Sequence, residues 1–235
     1  MTTWAILPVK PFHLGKSRLH PFLTSEEIIQ LNRKLFTDTY RCLQACQEID
    51  KILVITKDDA ILKLVDEWGG VGLPENMSSS LNLAIAQAFA FIHNSGESGP
   101  VLLIPVDLPG MKPEDLRGLF ALAGSDKYSD HKDGSRSCIG SSTDLENKDR
   151  IPTSSFLVIV PDYNQTGTNA LLMSEAELIT PMFGRRSFQK HIRQALVKSI
   201  NLTVWLNDAM QSDLDTLQDW QKYNKINFYS TEINN

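Results

Sequence analysis

The sequence has no excess of cations: 28 acidic residues against 23 basic ones leave a net charge of −5. That balance argues against a broad nucleic-acid or anionic-membrane face. Cysteine is scarce, and Cys42, Cys46 and Cys138 are an odd number that builds no disulfide framework. Cys42 and Cys46 stand four apart on an expected helix without histidine or cysteine partners nearby, so free thiols are expected rather than a zinc site. No apolar run nears the roughly 18 residues of a membrane span. The opening "MTTWAILPVK" lacks the basic stretch, apolar core and cleavage site of a signal peptide, so the cytoplasm is the expected compartment. G-x-x-x-x-G-K-[ST] and G-x-G-x-x-G are both missing, which removes the P-loop and dinucleotide fingerprints.

What is present is 42% hydrophobic content over 235 residues, enough for one large α/β unit spanning 1–235. Apolar runs "TWAILPV", "KILVIT", "PVLLIPVDLPG", "SSFLVIVPD" and "NLTVWLND" read as strands. Between them lie helical patterns, among them "TSEEIIQLNRKLFTDTYRCLQACQ", where Thr24 or Ser25 can cap, and "SSSLNLAIAQAFAFIHN". Alternating strands and helices predict a mostly parallel sheet covered on both faces. A polar, Ser- and Asp-rich stretch around 125–153 shows no period and reads as an insertion within the single unit. The tail "INFYSTEINN" has the composition to pair at a sheet edge or with a second copy, which leaves a homodimer open.

Ligands of open parallel sheets bind at the carboxyl ends of the strands. Three charged clusters fall there. In "LPVKPFHLGKSRL", Lys10, Lys16 and Arg18 have no acidic neighbour and could hold phosphate oxygens, with amides near Gly15 adding to the cradle. Solvated surface lysines are the competing reading. Asp107 in "IPVDLPG" ends a strand and suits a hard cation such as Mg²⁺, against the alternative of a turn aspartate. Asp213 and Asp215 are two apart, so in extended backbone they face one side and can share a metal with Asp107. Asp215, with Gln218 three residues on, also resembles a helix cap. "PDYNQTGTNALLM" adds Asn164, Thr166, Gly167, Thr168 and Asn169, where Gly167 allows a close ligand approach or simply a polar turn. Gly184, Arg185, Arg186 and Ser187 open a helix, whose start favours anions; Ser187 as a plain cap competes. His191, one turn further on, faces either the site or solvent.

Taken together, "WAILPVKPFHLGKSRL", "LNLAIAQA", "LLIPVDLP", "PDYNQTGTNALL", "FGRRSFQKHIRQA" and "SDLDTLQDW" resemble the 2-phospho-L-lactate and phosphoenolpyruvate guanylyltransferases of coenzyme F-420 biosynthesis. The resemblance runs from Trp4 to Trp220 in order. It implies a three-layer α/β/α nucleotidyltransferase (Rossmann-like) sandwich with a mostly parallel, mixed sheet. It implies transfer of GMP from GTP, with Mg²⁺, to a small phosphorylated three-carbon acid, releasing pyrophosphate. By the same resemblance Lys10, Lys16, Arg18 and Asn82 hold the nucleotide, and Lys16, Arg18 and Asp107 carry catalysis. Asp107, Asp213 and Asp215 hold the metal; Thr168, Gly184 and Ser187 bind the acid, supplemented by Arg185 and Arg186. The polar stretch around 125–153 departs from the family pattern.

The chemistry agrees with the residues. The acid's phosphate oxygen is already an anion, so attack on the α-phosphorus needs no general base, and none is evident. The difficulty is joining two anions, which concentrated cations relieve. Two alternatives stay open: a molybdopterin or sugar-phosphate type of nucleotidyltransferase, and a non-catalytic GTP-binding regulator. The first usually carries a glycine-rich opening loop, whereas "VKPFHLGKSRL" has a single glycine.

Overall fold

The computed structural model describes residues 1–76, 80–123 and 155–232, and for 225–232 the backbone alone. The stretch around 125–153, together with Met77, His131 and Cys138, lies outside the described residues.

Among the described residues, seven strands form one sheet in the order β3-β2-β1-β4-β6-β5-β7. They are β1 Trp4–Val9, β2 Lys51–Thr56, β3 Val71–Pro74, β4 Val101–Leu103, β5 Phe156–Pro161, β6 Thr168–Met173 and β7 Asn201–Val204. All neighbours run parallel except at β6, which is antiparallel to both β4 and β5. The sheet is therefore mixed and mostly parallel, as the sequence implied. Two of its strands were not evident beforehand. β3 is four residues containing Gly72 and Pro74, too short to show a period. β6 follows a six-residue turn, and its first residues share the polar composition of that turn.

The helices are α1 Ser25–Gln44, α2 Asp59–Glu67, α3 Leu81–Asn94, α4 Pro113–Ala123, α5 Ser187–Val197, α6 Asp208–Gln211 and α7 Leu217–Glu232. Thr24 caps α1 in a full capping box with Glu27. Alternation along the buried strands sends side chains to two opposite cores. Ala5, Leu7 and Val9 of β1 join Phe36 and Tyr40 of α1, Ile61 and Val65 of α2, and Leu116 and Leu119 of α4. Trp4 and Ile6 join Ala88 and Phe89 of α3 and Phe188 and Ala195 of α5. Three layers result: helices, sheet, helices.

The free thiols Cys42 and Cys46 lie in the first core. Of the two options open for the tail, pairing at a sheet edge is corrected: α7 continues through Glu232, so most of "INFYSTEINN" is helical backbone. None of the helices of the described residues is long and apolar enough to cross a membrane.

A third, smaller cluster positions the site. Leu19, Leu23, Ile28, Leu31, Leu35 and Leu214 bury against one another, with Trp220 and Tyr223 partly buried beside them. Leu19 follows the loop that carries Lys16, and Leu214 stands between Asp213 and Asp215. One apolar anchor thus ties two loops nearly 200 residues apart in sequence. The Leu214 N–H donates to the Asp107 carbonyl at 2.9 Å and adds a third loop to the same point.

Candidate active site

The carboxyl edge of the sheet gathers residues from five loops. After β1 the chain turns at Pro11 and reaches Lys16 in a left-handed backbone conformation, φ 56°, before the 3-10 turn Ser17–Leu19. Non-glycine residues avoid that region, so the conformation marks a constrained position. It buries the Lys16 side chain to 7% exposure, with Nζ donating to Asp107 Oδ2 at 2.8 Å and to Asp215 Oδ1 at 3.0 Å. Burial alone would depress this ammonium, but the charges of Asp107 and Asp215 and the hydrogen bonds to them hold it above its usual value. Arg18, mostly exposed, reaches Asp215 Oδ2 at 3.7 Å. Lys10 is exposed at the end of β1.

Asp213 is half-buried, while Leu214 beside it is buried in the apolar anchor. Burial, then the charges of Asp107 and Asp215, push its carboxyl up to about 6. Asp213 is therefore near enough to Asp107 and Asp215 for their charges to disfavour its ionised form, and Lys16 offsets only part of that repulsion. A divalent cation is the species that would relieve the rest, so the donor set fits one. At the same time, the described residues present no group of three or more His, Cys, Asp or Glu side chains already in a metal-holding arrangement. In this conformation Lys16 Nζ lies between two of the three carboxylates.

Asp215 is free for this role because the helix cap lies one residue further on. Thr216 and Asp219 form the reciprocal pair: Asp219 Oδ2 accepts from the Thr216 N–H at 2.8 Å, and the Asp219 N–H donates to Thr216 Oγ1 at 3.3 Å. The sequence reading that set Asp215 and Gln218 as the capping pair is one position out.

The opposite side of the cleft comes from the β5–β6 turn and the entrance to α5. Asp162 accepts from the N–H groups of Thr166 and Gly167, each at 2.8 Å, and from Thr166 Oγ1 at 3.0 Å. A Cβ on Gly167 would stand 2.7 Å from Asp162 Oδ2, so here glycine admits a carboxylate of the chain itself. Arg186, again left-handed at φ 58°, occupies the cap position of α5, and Ser187 is the first helical residue, buried and donating its N–H to the Gly184 carbonyl at 3.0 Å. Ser187 as the cap is thus corrected by one position. Arg185 and Arg186 are exposed.

Between the two sides lies a cleft of about 540 Å³, lined by Arg18 and Asp215 on one wall and by Gly167, Gly184, Arg185 and Arg186 on the other. The structure thus joins Lys16, Arg18, Asp107 and Asp215 through ion pairs, with Asp213 near enough to feel the charges of Asp107 and Asp215, and of these Arg18 and Asp215 line the cleft together with Gly184, Arg185 and Arg186. Thr168 is buried one residue behind Gly167, with its hydroxyl 3.0 Å from His191 Nδ1. Asn82 has both ends of its amide bonded to the Phe183 backbone, 101 residues away. Two residues gained a place that sequence reasoning had not given them. Asp162 organises the turn, and its Asp-x-x-x-Thr-Gly spacing was the available signal. His191 is fully buried, facing neither solvent nor the open cleft.

A mixed sheet with its charged residues at the carboxyl edge and helices on both faces defines a nucleotidyltransferase-like sandwich. The 4-diphosphocytidyl-2C-methyl-D-erythritol synthase structure from Anaerococcus prevotii shares that fold at a TM-score of 0.58 and 11% identity, covering 96% of this chain and 95% of the other. The family described as "Guanylyl transferase CofC like" matches residues 3–128, and the chain belongs to it. A phosphoenolpyruvate guanylyltransferase from Conexibacter woesei is 27% identical over 221 residues, 93% of this chain and 86% of that protein. A 2-phospho-L-lactate guanylyltransferase from Methanobrevibacter smithii is 29% identical over 219 residues, 92% of this chain and 81% of that protein. The chain is an enzyme of the guanylyltransferase class.

Proposed function

We propose that this enzyme transfers the guanylyl group of GTP to a phosphorylated three-carbon acid, 2-phospho-L-lactate, phosphoenolpyruvate or 3-phosphoglycerate, in the assembly of coenzyme F-420. The observation that carries the reading is Lys16, buried between Asp107 and Asp215, with Asp215 and Arg18 lining one cleft together with Gly184, Arg185 and Arg186. The triphosphate lies against Lys10, Lys16 and Arg18. The acid's phosphate and carboxylate lie against Thr168, Gly184 and Ser187, with Arg185 and Arg186 adding positive charge.

A phosphate oxygen of the acid forms a new bond to the α-phosphorus of GTP. The bond to the β-phosphate oxygen breaks, and pyrophosphate leaves with that electron pair. Lys16 and Arg18 offset the charge that gathers on the phosphates in the transition state, and the arginine wall aligns the attacking anion. Asp107, Asp213 and Asp215 would hold Mg²⁺, which neutralises phosphate charge when bound.

Pyrophosphate release is the test, measured from GTP and Mg²⁺ with each acid separately and with Asp107→Asn as control. Release with one acid, abolished by the substitution, is expected. Silence with all three acids despite GTP binding would overturn the reading and favour another acceptor or a regulatory protein.

A further inference from the structure

The segment from Thr180 to Arg186 is the last part of the connection from β6 to α5 and has no strand or helix of its own. No ladder of backbone partners fixes it, yet it ends in the arginine wall. Side chains substitute for the ladder. Gln194 of α5 accepts the Thr180 N–H at 2.8 Å and donates to the Thr180 carbonyl at 2.9 Å. Asn82, in the first turn of α3, does the same for Phe183: Oδ1 accepts its N–H at 2.7 Å and Nδ2 donates to its carbonyl at 3.2 Å. An amide bonded to both groups of one residue fixes its position and its facing, much as a neighbouring strand does.

Between these two clamps, the Met182 N–H donates to His191 Nε2 at 3.1 Å. Because Nε2 accepts, the proton of the neutral ring resides on Nδ1, which donates to Thr168 Oγ1 at 3.0 Å. The Thr168 hydroxyl keeps its own proton for another acceptor. The Phe183 ring also stands edge-on to His191, centroids 5.0 Å apart. Gly184, with φ 107° and no side chain, follows immediately.

We propose that Asn82 and His191 are positioning residues for the acid substrate, holding the Met182–Phe183 backbone so that Gly184, Arg185 and Arg186 keep their station in the cleft, and that Asn82 serves the acid rather than the nucleotide. The inference rests on the placement of the acid at Gly184–Ser187 made above. With one N–H and one lone pair committed to Phe183, the amide's facing is set by the clamp, and only its second N–H and second lone pair remain for any other partner.

Asn82 is half-buried, so Asn82→Ala is a tolerable truncation. Its expected effect is a rise in KM for the acid of about tenfold, with KM for GTP moving by less than about twofold. Hydrogen exchange at the Phe183 amide is expected to quicken in the same variant. Asn82→Asp keeps the acceptor for the Phe183 N–H but sets an oxygen against its carbonyl, and should fall between wild type and alanine. A rise in KM for GTP with the acid unaffected would make Asn82 a nucleotide contact and overturn the proposal. Unchanged exchange at Phe183 would overturn the clamp itself. If the wild-type enzyme turns over none of the acids, the function proposed above fails separately and takes the acid half of the inference with it. The exchange measurement then decides the clamp.

Discussion

Lys16 and Arg186 enter their helical turns through the same left-handed backbone, φ 56° and φ 58°, but the walls they belong to are built differently. On the lysine wall the charges are already paired and the side chain is buried, braced from below by Leu19 and Leu214. On the arginine wall the cations face solvent, and order comes from Asn82, His191 and Gln194 holding backbone. Left-handed backbone at a non-glycine residue costs about 1–2 kcal/mol. Both walls bear this cost in very different surroundings. The lysine wall is preset by electrostatics, the arginine wall by backbone geometry.

Removing the lysine charge should have the largest effect on that contrast. Lys16→Ala is expected to lower pyrophosphate release by about 10²–10³-fold, the loss typical of a preorganised charge. Lys16→Arg should not restore it, because two carboxylates at 2.8 and 3.0 Å suit a point charge better than a planar fork. Turnover assays on both variants check this, and an active arginine variant would show that the wall is less exacting than described. Next is its brace: Leu214→Ala should destabilise the fold by about 2–5 kcal/mol, measured by chemical denaturation. The activity of the surviving folded protein should fall as well, since Asp213 and Asp215 flank that side chain.

The arginine wall should answer to acid instead. Burial, with a contribution from Lys190, lowers the His191 imidazole to about 4, below its ordinary 6.5. Between those two values the unfolded chain binds a proton that the folded chain refuses, so stability falls as pH drops from about 6.5 towards 4. The slope from this group alone is at most about 1.4 kcal/mol per pH unit. His191→Gln should flatten the profile by that share, as read from denaturation midpoints across the window. An unchanged profile would mean that the ring is not held neutral. Arg186→Gly should be the mildest and opposite in sign, raising stability by about 0.5–1 kcal/mol by relaxing the left-handed strain. Its KM for the acid should nevertheless rise. Lys16→Gly relaxes the same strain, yet it should lose stability because it leaves Asp107 and Asp215 without their shared cation.

Legibility in the sequence followed the range of the interaction. Thr24 and Ser25 are both readable as caps of α1 by type, and Glu27, three residues beyond Thr24, selects Thr24. Buried runs such as "FLVIVP" were plain from composition. β6 was obscured because its first residues, Thr168 and Asn169, look like turn residues and are in fact buried; Asn169 spends its amide on the Met210 carbonyl at 3.0 Å. The capping pair of α7 was misjudged by one residue because Asp215 and Thr216 are both good caps by type, and only the position of Lys16, 199 residues away, separates their tasks. Asn82 was assigned from family pattern alone, and its bond to Phe183 spans 101 residues that no local spacing encodes.

Asp215 and Thr216 are adjacent, yet the first belongs to the cleft and the second to the helix that follows. Mutational screens of this enzyme therefore have a natural separation-of-function pair. A lesion at Asp215 should leave a well-folded, abundant and inert protein, whereas one at Thr216 should thin the population of molecules while sparing the chemistry of each. An allele of the first kind remains able to compete for whatever the wild-type protein binds; an allele of the second kind is merely scarce.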